Sequence, residues 1–259
     1  MSNLVTNKLV FITGASSGIG EACAEIFAQQ GAKLLLCARR TDRLNELVKR
    51  LQKTYFCQLH HFELDVCNAA AVIEKISALP SEWQAIDILI NNAGLAVGLD
   101  KLYAADIDDW ERMIDTNVKG LLYITRAVLP GMVKRNQGHI INMGSIAGHE
   151  YYPAGSVYCA TKHAVKAISK CLKIDLLGAQ VRVTSVDPGM VKTEFSQVRF
   201  KNNVERAAAV YQNITPLTAH DIADAVYYCA SRPAHVNIAE MIILPTDQAS
   251  ANHVHRSSS

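Results

Sequence analysis

Ser145, Tyr158 and Lys162 are the residues whose types and spacing could do chemistry in this chain. In Val157-Tyr158-Cys159-Ala160-Thr161-Lys162 the phenol and the amine stand four residues apart, so both project from one helix face about one turn apart. An ammonium beside a phenol favours the phenolate and lowers the phenol pKa from its reference of about 10. A phenol tuned that way can give or take the proton of a carbinol. Ser145 follows His139-Ile140-Ile141-Asn142-Met143, which puts its hydroxyl at the C-terminal end of a strand, where α/β enzymes place ligands. A solvated helix face carrying Tyr and Lys has the same spacing, so the pair gains meaning only from its surroundings.

A second cluster lies near the amino end. Lys8-Leu9-Val10-Phe11-Ile12-Thr13 reads as a short buried strand, and Gly14-Ala15-Ser16-Ser17-Gly18-Ile19-Gly20 follows at once. Glycines at 14, 18 and 20 allow a sharp turn and leave room for a pyrophosphate at the start of the next helix. There, free N–H groups and the helix dipole attract anions.

With both clusters in view, the chain resembles the short-chain dehydrogenase/reductase family along almost its whole length. The landmarks, in family order, are Thr13 to Gly20, Asp65-Val66, Asn91-Asn92-Ala93-Gly94, Asn117 in Thr116-Asn117-Val118-Lys119-Gly120, Ser145, Tyr158 with Lys162, and Pro188-Gly189. The resemblance implies a doubly wound parallel sheet of the Rossmann type, a nicotinamide dinucleotide, and hydride transfer between an alcohol and a carbonyl. It assigns Tyr158 as acid/base, Lys162 to tune it and hold the nicotinamide ribose, Ser145 to the substrate oxygen, and Asn117 to a proton-relay water. It places the pyrophosphate on the loop from Gly14 through Ser16, Ser17, Gly18 and Ile19 to Gly20. Asp65 and Val66 are assigned to the adenine and Asn92 to its ribose; Asn91 is read as structural. Pro188, Gly189 and Thr193 fall near the carboxamide and pyrophosphate.

Alternating strand and helix signals fit such a sheet. Strands are predicted at 8–13, 33–38, 57–64, 86–91, 138–144, 181–187 and 240–244, and helices at 18–30, 42–53, 68–79, 107–135, 157–177, 195–212 and 219–231. No repeat or low-complexity linker divides residues 1–259, which points to a single α/β domain with a substrate lobe around 189–215. The tail His253-Val254-His255-Arg256 is expected to fray or to reach a neighbouring subunit's pocket.

Composition excludes several classes. With 259 residues, 49% apolar, and a net charge of +2 with its signs interspersed, there is no electrostatic case for nucleic acid or an anionic membrane. No run of 18 apolar residues appears and Met1 to Thr6 lacks a signal-peptide pattern, so a soluble cytoplasmic protein is expected. The seven cysteines show no C-x-x-C and read as reduced thiols, Cys159 being of interest because it adjoins Tyr158. The histidines show no metal-ligand spacing, and no metal is expected.

The cofactor can be argued from the end of the second strand. Sites for NAD commonly hold an acid about 20 residues after the glycines, for the ribose 2′-OH. Here Lys33-Leu34-Leu35-Leu36-Cys37 ends in Ala38-Arg39-Arg40. Two guanidiniums match a 2′-phosphate and an acid is missing, so NADP is expected, held by Arg39 and Arg40. Asp42 and Arg43 read as a helix cap and a surface charge.

Finer resemblance bears on substrate. Leu79-Pro80-Ser81-Glu82-Trp83, Arg126 to Val133, Phe195-Ser196-Gln197-Val198-Arg199-Phe200 and Pro233 to Ile238 are similar to stretches of the NADP-dependent 3-hydroxy acid dehydrogenases. That group implies serine, allo-threonine or 3-hydroxypropionate/malonic semialdehyde as substrate, and many relatives are homotetramers. A broad carbonyl reductase for ketones, steroids or pterins, and a non-catalytic NADP-binding sensor, stay open. A substrate carboxylate needs a cation; Arg199 is the candidate, although a surface arginine beside Lys201 and Arg206 fits the same pattern.

Overall fold

The computed structural model describes residues 4–257. Seven strands alternate with helices: β1 (Leu9–Thr13), α1 (Gly18–Gln29), β2 (Lys33–Ala38), α2 (Thr41–Thr54), β3 (Leu59–Glu63), α3 (Ala69–Ser77), β4 (Ile88–Asn91), α4 (Ile107–Ile114), α5 (Leu121–Arg135), β5 (Gly138–Met143), α6 (Ser156–Asp175), β6 (Val181–Pro188), α7 (Phe195–Arg199), α8 (Val204–Ala209), α9 (Ala219–Ala230) and β7 (Glu240–Ile243). The strands form one sheet in the order β3-β2-β1-β4-β5-β6-β7 with every pairing parallel. Central strands covered on both sides must be apolar throughout, and β1 is wholly buried. Val10, Ile12, Leu34 and Leu36 pack towards α1, α2 and α9, while Phe11, Leu35, Leu89 and Ile140 face α3 and α5.

The order reverses direction at β1, between β2 and β4, which opens a crevice at the strands' C-terminal ends. The Gly14–Gly20 loop, Asn92 to Gly94, the segment after β5 and the segment after β6 all enter it.

Two predicted helices differ from the structure. The helix expected over 107–135 is interrupted by a π-helical segment, Asp115–Gly120, which carries Asn117. The helix expected over 195–212 breaks into α7 and α8, because Lys201 and Asn202 adopt left-handed backbone at φ 51° and 66°. The tail is not frayed. Val254 bridges Gln248, His255 N–H donates to the Asp247 carbonyl, and Ser257 N–H donates to Asn213 of the chain's own lobe.

One glycine fixes how the sheet delivers its chemistry. Gly144 joins β5 to Ser145, and a Cβ there would overlap the Oδ1 of buried Asp187 on β6. Overpacking of this kind costs about 1–3 kcal/mol. Gly144→Ala should therefore shift the urea midpoint down by that equivalent, with the slope unchanged. An unmoved midpoint would show that Asp187 swings aside freely.

Candidate active site

The end of β5 and the first turn of α6 bring the reactive groups together. Ser145 caps a 3-10 turn, Ile146–Gly148, its Oγ accepting from Ala147 N–H at 3.1 Å. Tyr158 and Lys162 lie on the inner face of α6 and both are buried. The Lys162 ammonium donates to the Met143 carbonyl at 2.8 Å and sits 5.8 Å from the Tyr158 ring centre.

Burial governs both titrations. It pulls the Lys162 ammonium down to about 8, against a smaller upward pull from the Asp187 carboxylate. It pushes the Tyr158 phenol above its ordinary value; Tyr152 adds to this, whereas a hydrogen bond with Ser145 and the charge of Arg199 pull the other way. The phenol expected to be depressed by the Tyr–Lys spacing is instead raised, because desolvation outweighs the Ser145 hydrogen bond and the Arg199 charge. Cys159 beside it is buried and its thiol is raised by desolvation, the state of an inert core thiol.

Asn117 is buried and does not line the cleft. Its Oδ1 accepts from Leu95 N–H at 2.9 Å, and its Nδ2 donates to the Leu95 carbonyl at 2.8 Å and Thr161 Oγ1 at 3.1 Å. Thr161 Oγ1 in turn donates to the Tyr158 carbonyl at 2.8 Å. The Asn117 side chain thus locks the chain after β4 against α6.

The cleft itself has a volume of about 920 Å³ and is long enough to run from Arg39 and Arg40 at one end to Tyr158 and Arg199 at the other. Gly14, Ser16, Ser17, Gly18 and Ile19 line it, as do Asp65, Val66, Pro188, Gly189 and Thr193. Gly14 and Gly18 take left-handed backbone at φ 65° and 58°, which a side chain would strain. Gly20 stands behind the wall, where a Cβ would overlap the Asn92 amide and the Gly14 carbonyl. Asn92 reaches the cleft, but its Nδ2 is committed to the carbonyls of Thr13 and Gly14 at 2.9 and 3.2 Å, so it braces the loop. Asn91 bonds Thr125 and Asn142, the structural part expected of it. Arg39 is exposed at the mouth; Arg40 donates to Ser17 Oγ at 2.6 Å and pairs with Glu194 at 2.9 Å. This cradle of glycines, helix start and paired guanidiniums fits a phosphate-bearing dinucleotide.

Arg199 is half-buried and turned in towards Tyr158. Its guanidinium lies 5.1 Å from the Tyr152 ring centre and 5.7 Å from that of Tyr158, with Nη2 donating to Tyr152 Oη at 2.8 Å. Its Nε is buried without a hydrogen-bond acceptor. Phe195 meets the Tyr158 ring edge-on at 5.7 Å.

A family model described as short chain dehydrogenase matches residues 8–204. The chain belongs to the short-chain dehydrogenase family. It is 50% identical over 250 residues to an NADP-dependent 3-hydroxy acid dehydrogenase of Shigella flexneri, covering 96% of this chain and 99% of that one. A Schizosaccharomyces pombe protein of the same name is 45% identical, with 96% of each chain covered. Among solved structures, the closed form of a serine dehydrogenase complexed with NADP+ superposes with a TM-score of 0.91 at 49% identity, covering 96% of this chain and all of that one.

Two residues of this dehydrogenase's cleft escape sequence reasoning. Tyr152 lines it from Tyr151-Tyr152-Pro153, between Ser145 and Tyr158, and that aromatic pair flanked by reactive residues is the available signal. Glu194 carries none, since its partners are far away in sequence. Arg256, in the tail expected to fray or to reach a neighbouring subunit's pocket, lines this chain's own cleft. Behind Gly144, His149 Nε2 bonds Asp187 at 2.8 Å, while His149 Nδ1 faces the Lys166 ammonium at 2.7 Å. Glu240 joins them, its carboxylate 3.8 Å from Lys166. His149, Asp187 and Glu240 present donors within 4.8 Å of one another, and Lys166 already supplies the cation there.

The Lys162 depression has a measurable sign. The folded chain binds fewer protons than the unfolded one between about 8 and the ordinary 10.5, so stability rises with pH across that window. Against a Lys162→Met variant, the cofactor-free wild type should gain urea resistance from pH 8 to 10. A difference that is flat with pH would place the folded lysine at its ordinary value.

Proposed function

We propose that the chain is an NADP-dependent 3-hydroxy acid dehydrogenase, oxidising the carbinol of substrates such as serine or 3-hydroxypropionate and reducing the corresponding aldehyde or ketone. The observation that carries the substrate class is Arg199: a cation stacked on Tyr152, facing Tyr158, with a buried Nε that lacks an acceptor. A carboxylate one carbon beyond the carbinol supplies that partner, and a ketone, steroid or pterin does not. The intact Ser145, Tyr158 and Lys162 favour catalysis over sensing.

Bound NADP supplies the hydride acceptor or donor. Ser145 Oγ hydrogen-bonds the substrate oxygen. Tyr158 exchanges its proton with that oxygen; in the cofactor-free chain the raised phenol is protonated at neutral pH, the form that donates to a carbonyl. Lys162 provides the adjacent positive charge and a donor for a ribose hydroxyl. Asn117 acts through position, tying Leu95 and Thr161 so that the Tyr158 backbone stays fixed. Arg39 and Arg40 take the 2′-phosphate, with Ser17 beside Arg40. The glycine loop, Gly189 and Thr193 take the pyrophosphate and carboxamide, and Asp65, Val66 and Asn92 flank the adenosine.

No helix among the described residues is long and apolar enough to cross a membrane. We assign the protein to the cytoplasm as a homotetramer or dimer; apolar side chains left exposed on α5 and after α6, including Leu122, Val133 and Leu177, support the assembly.

Tyr158→Phe should cut kcat by about 10²–10⁴-fold or more while leaving NADPH affinity near normal, because general acid–base catalysis is worth that range. Turnover within a few-fold of wild type would remove Tyr158 from the proton transfer. Arg199→Leu should raise KM for serine and 3-hydroxy acids by roughly tenfold or more, the loss of a charge-assisted bond, and barely touch uncharged alcohols. Equal losses for both substrate types would deny Arg199 the anchoring role.

A further inference from the structure

Glu194 stands where the lobe leaves the cleft floor, immediately before α7, and two arginines of the sheet side hold it. Its Oε2 accepts from Arg40 at 2.9 Å and its Oε1 from Arg43 at 2.5 Å. Arg40 uses its other terminal nitrogen on Ser17 of the glycine loop. The preceding residue, Thr193, lies against the same loop: a Cβ on Gly18 would come within 3.4 Å of it. The lobe is held at a second point, where Lys201 pairs with Asp109 at 2.9 Å and with Asp106 at 3.6 Å. Between these two holds runs α7, with Phe195 against the Tyr158 ring and Arg199 over it.

We propose that Glu194 is a positioning residue: clasped by Arg40 and Arg43, it pins the start of α7 over the glycine loop, retaining the cofactor beneath and setting Phe195 and Arg199 against Tyr158. The proposal rests on Arg199 serving the substrate as described above. Partial burial pushes the Glu194 carboxyl up, but hydrogen bonds from Arg43 and Arg40 outweigh it and hold the group below the usual carboxylate range. The carboxylate is therefore charged wherever the enzyme works. All three side chains remain partly exposed, at 42% for Arg40, 43% for Arg43 and 37% for Glu194. Ion pairs in such a setting are individually weak, which lets the clasp open for cofactor exchange and re-form. Because Arg43 lies outside the cleft lining, it can be changed without touching the groups assigned to the 2′-phosphate.

The test is the release rate of NADPH and NADH from the enzyme by stopped-flow fluorescence, for Glu194→Gln, Arg43→Ala and the charge-keeping Arg43→Lys. Glu194→Gln and Arg43→Ala should each release both cofactors at least fivefold faster and raise KM for a 3-hydroxy acid more than they lower kcat. Arg43→Lys should stay within twofold of wild type. Slower release would mean that Glu194 competes with the 2′-phosphate for Arg40, and the proposal falls. It falls equally if release is unchanged, if the effect is confined to NADPH, or if Arg43→Lys releases as fast as Arg43→Ala. Arg199→Leu separates this from the reading beneath it. Fast release in Glu194→Gln beside a normal KM for 3-hydroxy acids in Arg199→Leu sinks the anchor and leaves cofactor retention by the clasp intact.

Discussion

Lys162 holds a positive charge that has been taken out of water and handed to a single backbone carbonyl, that of Met143. A buried ammonium is costly unless its donors are met, so the chain around it has little freedom. The carbonyl must come from the last residue of β5, and α6 must pass at the height that lets a lysine reach it. The crossing is close: a Cβ on Gly148 would lie 2.8 Å from the Lys162 carbonyl, and one on Gly144 would overlap Asp187. Ser145 is thus delivered by a turn with a glycine on either side of it. Tyr158, one turn earlier on α6, inherits its position from the same contact. The buried Asp187 on the far side of Gly144 gives the ammonium a distant counter-charge.

The sheet and the reactive residues are legible because each leaves a local mark. All seven strands fall within about two residues of where apolar runs place them, and the glycine loop, Ser145 and the Tyr–Lys pair are contiguous patterns. What stays hidden depends on contacts made across the fold. The π segment at Asn117 keeps an apolar helical rhythm, with Ile114, Val118 and Leu121 four and three residues apart, so nothing in the periodicity marks its wider turn. The break at Lys201 and Asn202 is set by left-handed backbone, which asparagine takes readily and lysine does not, so Asn202-Asn203 is a weak local mark against apolar residues that continue on both sides. Asn92 is a polar residue in a cofactor motif, yet its amide serves the loop that the motif requires. The direction of the Tyr158 titration was missed because spacing reports a neighbouring charge, whereas desolvation is a property of the whole enclosure.

The two sides of the cleft are built from different forces. The glycine-loop side rests on close-packed aliphatics of β1, β2 and α1, an interior that does not deform gradually. The lobe side is two short helices joined through left-handed residues and held by ion pairs and by Tyr211, whose hydroxyl bonds Ser196 and the Val191 carbonyl. Rigidity is placed where the dinucleotide must be recognised, and yielding contacts where substrate must enter and product leave.

The folded tail bears on how the protein is handled. Arg256 bonds the carbonyls of Val210 and Gln212, lines the cleft, and sits beside Ser257, which is tied to Asn213. Asn7 lies at the other end of the strands, ahead of the central β1, its N–H bonded to the Gly31 carbonyl at the close of α1. A resin, reporter or partner enzyme tethered at Ser257 is therefore held at the rim of the catalytic cleft. One tethered at Asn7 leaves that rim open, which makes that side the one for immobilisation, and the Ser257 side the place to graft a module meant to feel turnover.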